Sequence, residues 1–235
     1  TATYSSASDP VQAPAVPAKA GYTGSWAPYE LGSRDLTVNA VYRQVTVRGG
    51  DSITQSGTYF IAPYATGEVY IAGGQNVTLR GDDGPFTDLS ITCGEGTSLT
   101  LSGVQVTSDD VMLRLAGGSL TLLGDSRFES ISEVRGNQYP AISITGAETV
   151  DGSGRLHALA SAGNSAVKVE SGASLTLTGG TFAVSKENLL SLTGGALFAD
   201  GGSVNISGGT FLGYTDSDNV SVIYADSLAI SGGTV

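Results

Sequence analysis

The sequence predicts an all-β fold in which a right-handed parallel β-helix occupies most of the chain. The composition is the first reason, because 235 residues include 34 glycines and only 14% charged residues. Such a composition is typical of short strands joined by tight turns. The second reason is a short unit that recurs from about Val69 onward, since self-similarity at a fixed short period indicates stacked repeats.

The recurring unit starts with a small polar residue, contains two apolar positions separated by one polar residue, and ends in glycine. This alternation buries one face of a strand. The closing glycine suits a sharp turn because it adopts positive φ without steric cost. The copies are residues 76–81, 98–103, 119–124, 174–179, 203–208 and 227–232, with a degenerate copy at 148–152.

Two companion strands accompany each copy. Those that precede the unit are predicted at residues 89–91, 112–115, 141–144, 166–169, 190–192 and 222–224, and those that follow it centre on Val106, Phe128, Phe182, Phe211 and Val235. Three short strands cannot close a core alone, so they are expected to stack in parallel with like residues in register. A propeller blade needs a fourth strand, and a β-sandwich has no reason to repeat its sequence.

The first 42 residues differ from the rest, because they hold four of the seven prolines and the only tryptophan, Trp26. We therefore predict two regions, residues 1–42 and residues 43–235. The chain begins without methionine and ends within a repeat at Val235, so we expect it to be part of a larger multidomain protein.

Charge and cysteine content exclude several classes of protein. A net charge of -11 argues against a nucleic-acid or anionic-membrane partner. Cys93 is the only cysteine, which rules out an intrachain disulfide. No apolar run approaches the length that spans a bilayer, so membrane insertion is not expected.

The best copies of the repeat, Leu-Thr-Leu-Thr-Gly-Gly-Thr-Phe at 175–182 and Val-Asn-Ile-Ser-Gly-Gly-Thr-Phe at 204–211, carry a resemblance. They resemble the pectate-lyase-like, carbohydrate-binding β-helix domains of secreted and cell-wall proteins of bacteria. Residues 51–61 look like the first strand of such domains. The resemblance implies an extracellular or cell-surface location and a polysaccharide or host glycan as partner.

The N-terminal segment carries a second resemblance. Pro-Ala-Val-Pro at 14–17, Gly-Tyr-Thr-Gly-Ser-Trp at 21–26 and Asp-Leu-Thr-Val-Asn-Ala-Val-Tyr at 35–42 are similar to the later part of the internalin B-type repeat. That repeat is a small β-grasp module of surface proteins, mostly of Gram-positive bacteria. The resemblance implies a partial β-grasp-like segment in which Trp26 packs in a small core.

We predict no catalytic residue. Glycosidases need two carboxyl groups at a fixed separation, and the paired candidates are Asp82-Asp83 and Asp109-Asp110. Asp82 directly follows its closing glycine, whereas Asp109 lies six residues past Gly103, so the pairs are not expected to stack. A lone histidine, His157, cannot form a metal cluster, and Cys93 is interpreted as an inert buried filler.

We predict no cofactor, although Ca²⁺ is a candidate ligand because it prefers carboxylate oxygens. The best candidate is the segment Asp216-Ser217-Asp218-Asn219. The other acidic turn residues are Asp82, Asp83, Asp88 and Asp200. Arg80-Gly81-Asp82 spells an integrin-binding tripeptide and Asn76, Asn205 and Asn219 begin glycosylation sequons; both patterns arise easily by chance in such a chain.

Three functions remain open at this stage. The first is a non-catalytic surface module that binds carbohydrate or acts in adhesion. The second is a structural stalk or spacer, and the third is a polysaccharide lyase or hydrolase. Tyr59, Tyr64, Tyr70 and Tyr139 lie toward the early repeats, which favours binding there.

Overall fold

The computed structural model describes residues 15–28, 38–131, 139–159, 165–185, 196–213 and 222–234. Regular structure in these ranges consists of β-strands, and they include no helix long and apolar enough to cross a membrane. The chain divides into two compact units, Thr1–Val45 and Thr46–Val235. The boundary predicted between Tyr42 and Arg43 lies within the strand Ala40–Gln44.

The described part of the first unit contains one antiparallel pair, β1 (Tyr22–Trp26) with β2 (Ala40–Gln44). Trp26 lies opposite Ala40 and is half-buried. The Tyr42 hydroxyl donates a hydrogen bond to the Pro17 carbonyl over 3.0 Å. Residues 29–37 lie outside the described ranges, so the β-grasp assignment stays a prediction.

Parallel strands build the second unit, and they fall into three ladders. From Gly67 onward the chain visits these ladders in the order A, B, C. Ladder A contains β4 (Ser52–Ile53), β6 (Gly67–Ile71), β9 (Leu89–Cys93), β12 (Leu113–Leu115), β15 (Ile142–Ile144), β18 (Val167–Val169) and the first parts of β21 (Leu197–Ile206) and β23 (Ile223–Ile230).

Ladder B contains β3 (Thr46–Val47), β5 (Gly57–Ile61), β7 (Asn76–Arg80), β10 (Thr97–Ser102), β13 (Gly118–Leu123), β16 (Ala147–Gly152), β19 (Ser174–Leu177) and the last parts of β21 and β23. Ladder C contains β8 (Phe86–Thr87), β11 (Gln105–Ser108), β14 (Arg127–Ser130), β17 (Arg155–Leu159), β20 (Thr181–Ser185) and β22 (Thr210–Gly213). Ladders A and B join because β21 pairs with both β18 and β19.

The core lies between the ladders and consists of columns of apolar side chains in register. Successive residues of a strand point to opposite faces, so one face of each strand faces the core. Ladder B stacks Leu99, Leu120, Val150, Leu177 and Ile206, all buried. Ladder C stacks Val106, Phe128, Leu156, Phe182 and Phe211 in the same way.

The repeat units found in the sequence form the strands of ladder B, including the degenerate copy, which is β16. Parallel pairing also begins earlier than Val69, at Thr46 in β3. One predicted companion strand, residues 190–192, lies outside the described ranges. The described ladder A strand in register with Val167 of β18 is Leu197-Phe198-Ala199, which the sequence pattern did not predict. Its three residues are all apolar, so they lack the alternation of apolar and polar residues that marks a strand with one buried face.

Candidate functional site

A continuous row of side chains runs along the outward face of ladder A. Its inward neighbours, such as Val69, Ile91 and Leu113, are buried, so the alternate residues point outward. Strands about 4.8 Å apart place successive members of the row at that spacing. The outer row consists of Ser52, Tyr70, Thr92, Arg114, Ser143, Lys168, Phe198 and Tyr224.

Aromatic rings mark the C-terminal end of the outer row. Phe198 and Tyr224 stack with their ring centroids 5.0 Å apart and their planes 13° from parallel. Tyr224 is 47% exposed. Lys168 lies in register with Phe198, and its Nζ is 3.0 Å from Oε1 of Glu170. An exposed aromatic surface therefore lies beside a charged, hydrogen-bonding pair.

The middle of the outer row is polar, and its charges are paired. Nη2 of Arg114 is 3.1 Å from Oδ1 of Asp110. The Ser143 hydroxyl donates to Oε1 of Glu170 over 3.2 Å, the same oxygen that Lys168 contacts. These exposed ion pairs add little stability, commonly under about 1 kcal/mol. They do hold donors and acceptors in fixed positions along the row.

The four tyrosines that favoured the early repeats do not share one face. Tyr70 belongs to the outer row, whereas Tyr59 lies in ladder B opposite Leu79 and packs against the core. Tyr64 occupies a turn and is 95% exposed with a φ of 58°. Tyr139 is half-buried in the segment that precedes β15. Only Tyr70 therefore contributes to the outer row.

A depression of about 280 Å³ lies at the first repeat of the second unit. Val47, Ile53 and Tyr59 supply its apolar lining, and Asp51 and Gln55 supply polar groups. The Tyr59 hydroxyl is already committed, since it donates to the Gln55 carbonyl over 2.8 Å. Thr46, Ser52 and Thr54 complete the lining with hydroxyl groups.

The structure places the two acidic pairs directly after strands of two different ladders. Asp82 and Asp83 follow β7 of ladder B, whereas Asp109 and Asp110 follow β11 of ladder C. Asp82 pairs with Arg80 over 3.1 Å. Asp110 accepts the Val111 amide proton in addition to its contact with Arg114. One residue of each pair, Asp82 or Asp110, is thus bound to a local arginine.

The calcium candidates are dispersed. Asp88, with a φ of 54°, accepts a long hydrogen bond of 3.4 Å from the Ser108 hydroxyl, and Asp200 is exposed within β21. Within the described ranges, no three His, Cys, Asp or Glu side chains are close enough to hold a metal ion. The preferred segment, Asp216-Ser217-Asp218-Asn219, lies outside those ranges.

The Arg-Gly-Asp tripeptide ends β7, and its two charged side chains are paired with each other. Gly81 is buried, and a Cβ there would lie 2.7 Å from the Val104 Cα. The close approach of the neighbouring strand therefore explains the glycine, and the ion pair engages both charged groups that an integrin would contact.

The remaining candidates occupy ordinary positions in the strands. The backbone of His157 is in register with Glu129 and Ala183 in ladder C. Asn76 and Asn205 are exposed in ladder B, whereas the third sequon asparagine, Asn219, lies outside the described residues.

Cys93 ends β9 and is buried. Burial, with a smaller contribution from Glu148, raises the pKa of the Cys93 thiol to about 12. The thiol therefore stays protonated and unreactive at neutral pH.

One buried ionisable residue was missed by the sequence reasoning. Glu148, in β16, is only 5% exposed and points into the core. Burial raises the pKa of its carboxyl to about 8. Alternation places Glu148 on the same strand face as Val150, but only the register with Gly118 and Leu175 shows that this face is buried at position 148.

No protein-family model, curated protein or solved structure matches this chain. The candidate site therefore rests on the described geometry alone.

Proposed function

We propose that the second unit is a non-catalytic carbohydrate-binding module of an extracellular bacterial surface protein. The observation that carries the proposal is the outer row, where Phe198 and Tyr224 stand beside the Lys168–Glu170 pair. An aromatic side chain offers an apolar surface to the C–H face of a sugar ring. Carboxylate, ammonium and hydroxyl groups supply the acceptors and donors that sugar hydroxyls need.

We further propose that the unit is a right-handed parallel β-helix, in keeping with its resemblance to pectate-lyase-like domains. Its support is the order in which the chain visits the ladders, with every ladder pairing parallel to the same ladder of the next repeat. Right-handedness follows from the strong preference of parallel crossover connections for that hand.

A neutral glycan fits this surface better than an acidic one. The chain carries a net charge of -11, which repels polyanions. The cations of the outer row, Arg114 and Lys168, are also engaged by Asp110 and Glu170. We therefore expect binding to hydroxyl-rich, uncharged polysaccharide, with a weak dependence on salt.

The proposed lack of catalysis is supported by the separation of the carboxylates. The pair Asp82-Asp83 follows β7 of ladder B and the pair Asp109-Asp110 follows β11 of ladder C, and Asp82 and Asp110 each contact an arginine. A rise in reducing ends or in unsaturated-uronate absorbance on any polysaccharide would contradict this part of the proposal.

The binding test is a glycan array and pull-down with insoluble polysaccharides, using the whole chain and the double variant Phe198→Ala/Tyr224→Ala. We expect at least a tenfold weaker binding by the double variant, because a lost aromatic contact of about 1.4 kcal/mol corresponds to tenfold. Leu123→Ala is the matched control, since Leu123 is similarly exposed but lies on ladder B. A wild-type chain that binds no glycan, or a double variant that binds as well as wild type, would refute the proposal.

A structural spacer is the second candidate, and the paired charges of the outer row favour it. Arg114 and Lys168 already have partners, as expected of a solvated face without a ligand. The array separates the two candidates, because a spacer binds nothing on any face.

A further inference from the structure

An interior column of ladder B contains a carboxyl group among apolar and small residues. In register from the N-terminal side, the column consists of Thr97, Gly118, Glu148, Leu175 and Val204. Thr97 is buried but satisfied, because its hydroxyl donates to the Gly94 carbonyl over 2.7 Å. Glu148 is the ionisable member of these five residues, and only 5% of it is exposed to water.

The Glu148 carboxyl has no partner among the described residues. None of them donates a hydrogen bond to it, and its burial is not offset by an ion pair with any of them. The neighbouring strands present Gly118 from β13 and Leu175 from β19, neither of which can ionise. Cys93 of β9 is the titratable group that faces it, and that thiol also stays protonated. An isolated ionised carboxylate in such surroundings is strongly unfavourable, so the group is held neutral.

The column has no side chain directly next to Glu148 on its N-terminal side. Gly118 has a φ of 137°, and a Cβ there would lie 2.1 Å from the Thr97 carbonyl oxygen. No other residue fits at position 118, so packing cannot tighten around the carboxyl from that strand. An ionised Glu148 carboxylate would therefore be poorly stabilised by its neighbours in the repeat that contains β16.

We propose that Glu148 is a pH-sensitive switch, which keeps the β16 repeat closed while its carboxyl is neutral and favours opening of that repeat as the pH rises from acidic to neutral. The inference goes beyond glycan binding and does not depend on it. It stands on the burial of Glu148, on the lack of a partner for its carboxyl among the described residues, and on the glycine at position 118.

The direction of the pH effect follows from proton linkage. The folded-state pKa of Glu148, about 8, is raised above the ordinary value of 4.5. Below pH 4.5 both closed and open states hold the proton, and opening does not depend on pH. Between pH 4.5 and about 8 only the closed state holds it, so each pH unit raises the opening constant about tenfold. Above pH 8 both states are ionised, and the dependence ends.

The single cysteine provides a built-in reporter of opening. Cys93 is buried and is close enough to Glu148 for the two groups to interact electrostatically. A thiol reagent modifies it only when the region opens. The labelling rate of the native chain, divided by that of the unfolded chain at the same pH, measures the opening constant free of the reagent's own pH dependence.

The experiment compares wild type with Glu148→Gln and Glu148→Leu between pH 5.5 and 7.5. We expect the wild-type ratio to rise about tenfold per pH unit and both variants to give flat profiles. Glu148→Leu guards against an unsatisfied amide in the glutamine variant, because Leu175 already occupies the next position of the column. Glu95→Gln is the matched control, since Glu95 is exposed in the turn between β9 and β10, and it should follow wild type.

Hydrogen exchange at the same pH values tests whether the opening is local. After correction for intrinsic rates, we expect protection to fall first in β13, β16 and β19, which adjoin Glu148, and later in β7. A flat wild-type labelling profile, an equal slope in both Glu148 variants, or a uniform loss of protection would overturn the proposal.

Discussion

Two aromatic pairs with nearly the same geometry lie in the second unit, one in the core and one on the surface, and they should differ sharply in their contribution to stability. Phe182 and Phe211 stack inside ladder C with centroids 5.1 Å apart and planes 20° from parallel. Phe198 and Tyr224 stack on the outer row at 5.0 Å and 13°. The perturbations are Phe182→Ala and Phe198→Ala, which each remove one ring from a stacked pair.

Burial sets the expected magnitudes. Phe182 is fully buried between Leu156 and Phe211, so its truncation loses apolar transfer energy and leaves a cavity, at a cost of about 3–5 kcal/mol. Phe198 is half-buried and its truncation leaves no enclosed cavity. Its loss should cost about 0.5–1.5 kcal/mol, the value of the aromatic contact itself. The two variants should therefore differ by about 1.5–4.5 kcal/mol.

Urea unfolding followed by far-UV circular dichroism measures both variants against wild type. Trp26 is in the other unit, so its fluorescence would not report this transition reliably. Phe182→Leu is the control, because it retains most of the buried volume and should recover more than half of the loss. Equal destabilisation by Phe182→Ala and Phe198→Ala would refute the assignment of one ring to the core and the other to the surface.

Further predictions concern single positions in the stack. In urea unfolding, Gly118→Ala should lower the free energy of unfolding by more than about 3 kcal/mol, because the added Cβ would lie 2.1 Å from the Thr97 carbonyl oxygen. Gly124→Ala should cost only about 1–2 kcal/mol, because Gly124 has a φ of 59° but open space around it. Cys93→Ser should be about 1–3 kcal/mol less stable than Cys93→Ala, because both variants lose the sulfur but only serine buries an unpaired hydroxyl. A serine variant as stable as the alanine variant would contradict this. The wild-type free energy of unfolding should fall by about 1.4 kcal/mol per pH unit between pH 4.5 and 8 and not beyond, and Glu148→Leu should remove that slope in denaturation curves recorded across this range.

The amino-acid sequence by itself determined the strands and their inward faces. Alternation in units such as Ser98-Leu99-Thr100-Leu101 predicts which residues are buried, because the side-chain period of a strand is two. The regular return of these units predicts stacking in register, and Leu99, Leu120 and Leu177 do occupy one column. All-β architecture with parallel strands was therefore predictable from local pattern and repetition.

Only the tertiary structure decided that residues 197–199 join ladder A and which outward residues meet. Leu197-Phe198-Ala199 is an apolar run without alternation, and its pairing with β18 is what makes Phe198 an outward residue. Phe198 and Tyr224 are distant in sequence, and they stack because β21 and β23 are neighbours. Glu148 reads as a surface residue in a degenerate copy, yet the register that buries Val150 also buries its carboxyl. Register is a property of neighbouring strands, and so the contents of each row and column depend on the assembled stack.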